Sequence, residues 1–185
     1  MPMALTAKEI EERQRFSSGG RTGWILLRGQ WGLAIDRRLV RWTGFSFVTW
    51  QYAKARAGSY TPVILFTTTG RASGKPRETV LPFYLWQGRL ILTGSNGGGP
   101  TGPHWTSNIR KTPHCRFRWG GRSYEATGHV ADGEEREQIL DAMAKEQPFV
   151  RAYAQETARN GRELPFVVLE PATPLLPSPK LKVIG

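Results

Sequence analysis

Between Pro62 and Val130 the chain repeatedly sets a short β-favouring run against a glycine-bearing break, and this rhythm predicts an antiparallel sheet of hairpins. Pro62-Val-Ile-Leu-Phe-Thr-Thr-Thr69 is dense in β-branched residues. The apolar run from Glu78 to Trp86 is joined to Arg89-Leu-Ile-Leu-Thr93 by the two-residue turn Gln87-Gly88, which makes a β-meander. Cys115-Arg-Phe-Arg-Trp119 alternates in polarity, Gly120-Gly121 turns the chain, and Arg122 to Val130 returns as a second hairpin. Asp132 is placed to cap a helix starting at Gly133, with Glu135 at capping-box spacing and Ile139, Leu140 and Met143 as its apolar face. Pro148 is placed to open another helix and Asn160-Gly161 to stop it, before Pro165-Phe-Val-Val-Leu-Glu170 forms a last strand. Five or six short strands with helices between hairpins predict an α+β domain around a small closed or half-closed barrel.

At 185 residues the chain suits one domain, and its 39% hydrophobic content excludes an intrinsically disordered chain. The net charge of +11 implies an anionic partner: phosphate, nucleic acid, lipid or another polyanion. Arginine dominates that charge, and its planar fork suits oxyanions. With Cys115 as the single cysteine there is no intramolecular disulfide or multi-cysteine metal site, and a reducing cytoplasm is expected. We read no secretory signal in the first ten residues and no run long enough to span a bilayer. Residues 1–20 read as a short helix followed by a flexible break at Ser17-Ser-Gly-Gly20. Trp24, Leu27, Trp31, Ile35, Leu39 and Trp42 then recur at spacings of three or four, interleaved with arginines and weakened by Gly29 and Gly32. Such a stripe packs on its own domain or lies on lipid, and packing is the first expectation. The resulting plan is an N-terminal helical, basic amphipathic segment (1–45), a barrel (46–172) and an irregular tail (173–185).

Two loops carry the chemistry. In Thr69-Gly-Arg-Ala-Ser-Gly-Lys-Pro-Arg77, two glycines allow a tight turn while Arg71, Ser73, Lys75 and Arg77 offer donors to a phosphate or carboxylate. In Ser95-Asn-Gly-Gly-Gly-Pro-Thr-Gly-Pro-His-Trp105, three successive glycines let backbone N–H groups approach a ligand. Together they read as a split anion site; a solvated hairpin tip and a flexible surface loop are the plain alternatives. Neither the GxxxxGK[ST] nor the GxGxxG spacing is present. Trp105 either stacks on a planar ring or fills core, with core favoured. His104, His114 and His129 lack metal-ligand spacing, so no metal is expected, and Cys115 reads as a small buried hydrophobe rather than a nucleophile. No paired carboxylates mark a hydrolytic cleft. A cofactor bringing its own reactivity accounts for that.

Thr67-Thr-Thr-Gly-Arg-Ala-Ser-Gly-Lys-Pro-Arg77, Ser95-Asn-Gly-Gly98, His104-Trp105, Asn108 and Leu164-Pro-Phe-Val-Val-Leu-Glu-Pro171 resemble, in order, the deazaflavin-dependent nitroreductase family of actinobacteria. The resemblance implies a split β-barrel of the flavin-reductase and pyridoxamine-oxidase type with peripheral helices. It also implies coenzyme F420, a deazaflavin with a phosphate and an oligoglutamate tail, as hydride donor. By position, Arg71, Ala72, Ser73, Lys75 and Arg77 to Pro82 would line the phosphate and ring side. Thr93, Ser95, Asn96 and Gly97 would meet the deazaflavin edge, and His104, Trp105 and Asn108 the far wall. Ser95 and Tyr153 would act as the catalytic polar contacts while hydride passes from C5 to a quinone, activated alkene or nitro compound. Ala72 stands where the family commonly has lysine, which removes one cation. Partners on this reading are a small-molecule acceptor and no nucleic acid, with the chain a monomer or homodimer and cytoplasmic; peripheral contact with the inner membrane face through residues 22–45 is the alternative to packing of that segment on its own domain. An FMN-dependent split-barrel reductase and a basic nucleic-acid-binding barrel are the rivals.

Overall fold

The computed structural model describes residues 26–27, 29–55, 59–95, 101–147, 149–159 and 161–185. The helix and break expected over residues 1–20, together with Trp24, Asn96, Gly97, Pro148 and Asn160, lie outside them. Six strands, β1 (Val63–Thr69), β2 (Pro76–Trp86), β3 (Arg89–Thr93), β4 (His114–Trp119), β5 (Arg122–Val130) and β6 (Phe166–Pro171), close into a barrel ordered β1-β2-β3-β6-β5-β4. Every neighbouring pair is antiparallel. β2 begins at Pro76, two residues before the expected Glu78, because Pro76 and Arg77 pair with Thr69 and Thr68. Both two-residue turns adopt left-handed backbone, with φ of 51° and 78° at Gln87-Gly88 and 57° and 79° at Gly120-Gly121, the twist a tight hairpin demands.

Ile64, Phe66, Phe83, Leu92, Phe117 and Val167 belong to the cluster that fills the barrel. β4 and β5 alternate buried and exposed residues because their outer face meets solvent, whereas β3 and β6 are buried on both faces. Two helices cover those outer faces: α4 (Gly133–Glu146) and α5 (Phe149–Arg159). Ile139, Met143 and Val150 cluster there with Tyr84, Ile91, Phe166 and Val168. Asp132 occupies the N-cap position of α4, but its side chain makes no cap hydrogen bond, contrary to the capping box. Glu135 instead pairs with Arg89 at 2.9 Å and His129 at 2.7 Å, so its carboxylate is committed elsewhere. α5 ends as expected at glycine: Arg162 N–H donates to Thr157 O and Gly161 N–H to Ala158 O, with Gly161 at φ 72°.

The expectation that the Trp-rich stripe packs on its own domain is overturned. In α1 (Gly29–Thr43) the inward residues are Gly32, Asp36 and Val40, while Trp31 and Trp42 are 84% and 85% exposed. Asp36 turns the helix this way. Its carboxylate accepts from Ser46 Oγ at 2.7 Å and Val48 N–H at 3.0 Å, at the start of α2 (Phe47–Ala55), where an anion offsets unpaired amide donors. Val40 packs with Val63, Leu65 and Val80 on the outside of β1 and β2. Gly32 is set by space here despite its low helix propensity, since a Cβ would lie 2.8 Å from the Leu27 carbonyl carbon. At the other end of the chain, Leu85 N–H donates to Lys182 O and Ile184 N–H to Leu85 O, both at 2.8 Å, and Ile184 joins the α4–α5 core.

Candidate functional site

Residues 70–75 link β1 to β2 as a closed loop. Gly70 N–H donates to Lys75 O at 2.9 Å and Gly74 N–H to Gly70 O at 2.8 Å. Gly74 has φ 65°, and a Cβ on Gly70 would sit 2.9 Å from Ser73 Oγ, so both glycines are required by shape. The loop and the first residues of β2 present Arg71, Ala72, Ser73, Lys75 and Arg77 to solvent. Arg77 reaches Ser73 Oγ only at 3.4 Å, and among the described residues no carboxylate pairs with Arg71, Lys75 or Arg77. Three uncommitted cations and a hydroxyl therefore face outward from a rigid turn.

His104 and Trp105, which the sequence sets at the end of the glycine-rich loop, lie with Asn108 in a helix, α3 (His104–Lys111), between β3 and β4 in the chain. His104 and Asn108 are one turn apart, as are Trp105 and Ile109. The latter two join the barrel's interior cluster, with Trp105 edge-on to Phe66 at a centroid distance of 5.8 Å. Trp105 is thus core, and His104 alone of the set is exposed. Asn108, 4% exposed, fastens the hairpin loop to α3: its Nδ2 donates to Thr68 Oγ1 at 2.9 Å and its Oδ1 accepts from Arg71 N–H at 3.0 Å. Lys111 Nζ adds a bond to Arg71 O at 2.8 Å.

The opposite end of α3 meets the end of β3. Gly94 follows β3, and a Cβ there would lie 2.6 Å from Pro165 Cγ, 3.0 Å from Thr106 Cγ2 and 3.3 Å from Pro103 Cγ. Thr106 Oγ1 in turn donates to Pro103 O at 2.7 Å. Ser95, half-buried, has its carbonyl held by Arg162 Nη2 at 2.9 Å, and Arg162 is aimed by the turn that ends α5. Thr93 Oγ1 contacts Met143 Sδ at 3.7 Å, on the outer face beneath α4. Tyr153, 9% exposed on α5, shares a cluster with Leu164 and Phe166. Pro82 is exposed where β2 changes partner from β1 to β3. α3 therefore bridges the hairpin loop and the end of β3, with Pro103 and Thr106 against Gly94 and Asn108 and Lys111 against the hairpin loop. Lys111 and Arg162 are the site-building residues the sequence did not single out, whereas Thr68 and Gly94 fall inside stretches it did mark; the spacing from Asn108 to Lys111 is the signal that a helix would have exposed.

Burial pushes the Cys115 thiol up to about 12, with the nearby Glu125 adding to the shift, and Sγ donates to Ala126 O at 3.4 Å. It is no nucleophile. The Tyr84 phenol is raised by burial against a bond to Thr61 that lowers it. Among the described residues no group of three or more His, Cys, Asp or Glu side chains gathers to hold a metal ion, and no helix is long and apolar enough to cross a membrane.

A sequence profile of the F420H(2)-dependent quinone reductase family matches residues 49–171. The F420H(2)-dependent quinone reductase of Mycobacterium tuberculosis is 24% identical over 108 residues, spanning 58% of this chain and 72% of that protein. A solved structure of an F420-H2 dependent reductase is 30% identical with a TM-score of 0.51, covering 61% of this chain and all of the other. A second solved structure, described as a domain-swapped dimer, is 31% identical with a TM-score of 0.51 and covers 59% of this chain and 80% of its own.

Proposed function

This chain belongs to the F420H(2)-dependent quinone reductase family, and from that premise we propose that its hairpin loop and the end of β3, bridged by α3, grip reduced coenzyme F420 beside a quinone acceptor. The chain is an oxidoreductase on a split β-barrel, and coenzyme F420 is its cofactor. The observation that carries the site assignment is the Asn108 bridge, which fixes three uncommitted cations in one loop and ties that loop to the end of β3 through a single helix. The donor set fits the coenzyme: a phosphate and several carboxylates need guanidinium, ammonium and hydroxyl donors free of internal carboxylates. When bound, the reduced deazaflavin supplies a hydride at C5.

Arg71, Lys75 and Arg77, with Ser73 beside them, take the anionic portion. Thr93, Ser95, Asn96, Gly97 and Pro82 border the ring, and α3 closes the far side with His104 at its exposed corner. Ser95 and Tyr153 hydrogen-bond the acceptor oxygen where negative charge develops, and solvent supplies the proton. Arg162, by holding the Ser95 carbonyl, sets where that hydroxyl points. On the acceptor side, α1 rests against the inner membrane face, on the strength of its outward tryptophans and arginines. Homodimerisation is inferred from the solved relative described as a domain-swapped dimer, and light scattering tests it.

The test is to titrate coenzyme F420 into the protein, then mix its reduced form with a menadione-type quinone and follow reoxidation. Arg77→Ala is expected to weaken coenzyme binding by about tenfold or more, the worth of a charged hydrogen bond. No coenzyme binding by the parent chain overturns the reading. Unchanged affinity in Arg77→Ala overturns the hairpin's role in it.

A further inference from the structure

The inversion of α1 leaves a feature that hydride transfer does not use. Where the helix lies beside the barrel, two abutting hollows of about 380 and 150 Å³ share Arg41 and Glu78. Arg37, Arg38 and Trp42 line one, and Arg116 and Arg118 on β4 line the other. Five arginines therefore face one carboxylate, and that carboxylate already pairs with Arg41. Glu125, opposite Arg116 in register on β5, is engaged by His114 at 3.2 Å. Arg118 reaches only the Gly121 carbonyl, at 3.4 Å. So dense a set of guanidinium groups favours an oxyanion among them, and phosphate is the oxyanion whose geometry the guanidinium fork matches.

The surroundings identify which phosphate. Exposed Trp42 lines the larger hollow, and Trp31, Ile35 and Leu33 stand exposed on the same helix. Tryptophan favours the headgroup level of a bilayer, and aliphatic side chains gain by entering the acyl boundary below it. Nucleic acid would use the tryptophans for stacking but draws nothing from exposed leucine and isoleucine. We propose that the furrow between α1 and β4 seats the phosphate headgroups of an anionic phospholipid bilayer, with Trp31 and Trp42 inserted beside it. This rests on the membrane-facing reading of α1 and extends it: the barrel wall itself, through Arg116 and Arg118, completes the lipid site.

The experiment is co-sedimentation of the full chain with phosphatidylcholine vesicles, with or without phosphatidylglycerol. The double variant Arg116→Ala/Arg118→Ala is expected to lose affinity for the anionic vesicles by about fivefold per arginine and to keep its weak affinity for neutral ones. Trp42→Ala is expected to lose affinity for both. Arg151→Ala, an exposed arginine on α5 paired with Asp141, controls for net charge. The proposal fails if the double variant binds anionic vesicles like the parent. It fails equally if Arg151→Ala costs as much per charge, or if single-stranded nucleic acid displaces the protein from the vesicles while glycerol phosphate does not. Reduction of a water-soluble quinone by reduced F420 is read in parallel. Its retention in the double variant separates loss of lipid binding from failure of the coenzyme assignment.

Discussion

Asn108→Ala tests the central construction of the site. The side chain makes two hydrogen bonds, at 2.9 Å to Thr68 and 3.0 Å to Arg71, and both end when the amide is removed. Each bond contributes about 1 kcal/mol net, but truncation leaves its former partners behind, and a buried orphan group costs about 1–3 kcal/mol. Thr68 is 2% exposed, so its hydroxyl bears that cost in full, whereas the Arg71 N–H lies in an exposed loop and recovers water. The sum is a loss of about 2–4 kcal/mol, read as a fall in urea midpoint without change of slope. The Gly70–Lys75 bonds and the Lys111 tether survive, so the loop loosens rather than melts. Coenzyme affinity, by fluorescence titration, is then expected to fall about tenfold, equivalent to about 1.4 kcal/mol. A companion cycle removes both partners: Thr68→Val/Asn108→Leu is expected to cost less than its single variants summed, because no polar group is stranded. Parent-like stability in Asn108→Ala refutes the hydrogen bonds. Reduced stability with parent-like coenzyme affinity refutes the idea that the loop's shape is what binds.

Further expectations are independent of that one. Gly94→Ala drives a Cβ to 2.6 Å from the rigid Pro165 ring and is expected to cost about 1–3 kcal/mol, visible as a melting temperature several degrees lower. For Cys115 the folded thiol is raised from 9.0 to about 12, so above pH 9.0 the unfolded chain has lost a proton that the folded chain keeps. Stability conferred at neutral pH is therefore lost at about 1.4 kcal/mol per unit through that window, and Cys115→Ala should flatten the slope in urea titrations on either side of it. Ile184→Ala, at a side chain 2% exposed against the α4–α5 layer, is expected to cost about 2–4 kcal/mol by thermal melt; an unchanged melt would show that the final residues do not bind β2 in solution.

The strands were readable because their signals are local. β-branched runs and paired positive-φ turns at Gln87-Gly88 and Gly120-Gly121 suffice to place four of them in two hairpins. Closure and order were not, since nothing local tells β6 to enter between β3 and β5. The cationic hairpin loop and the glycine-rich loop were both visible as composition, yet the bridge between them is a helix of only eight residues with no side-chain cap at its start. Short helices draw their stability from tertiary packing, here Trp105 and Ile109 in the barrel. α1 failed for a different reason. Apolar periodicity identifies a helical face without saying what covers it, and one buried carboxylate, Asp36, outbid three large apolar side chains because it serves the amide donors of the next helix.

The placement of β6 has a consequence for how the protein is made. It pairs along both edges, with β3 and with β5, so until it docks the sheet carries two unpaired margins facing one another across a strand-wide gap. Its partner on one side lies some seventy residues earlier in the chain, a slow closure because distant segments must meet before any bond rewards them. The gap is specific for a sequence and indifferent to which molecule supplies it. Refolding at high concentration therefore sets closure by the chain's own strand against capture of a neighbour's, and yield of the single-chain barrel is expected to fall as concentration rises.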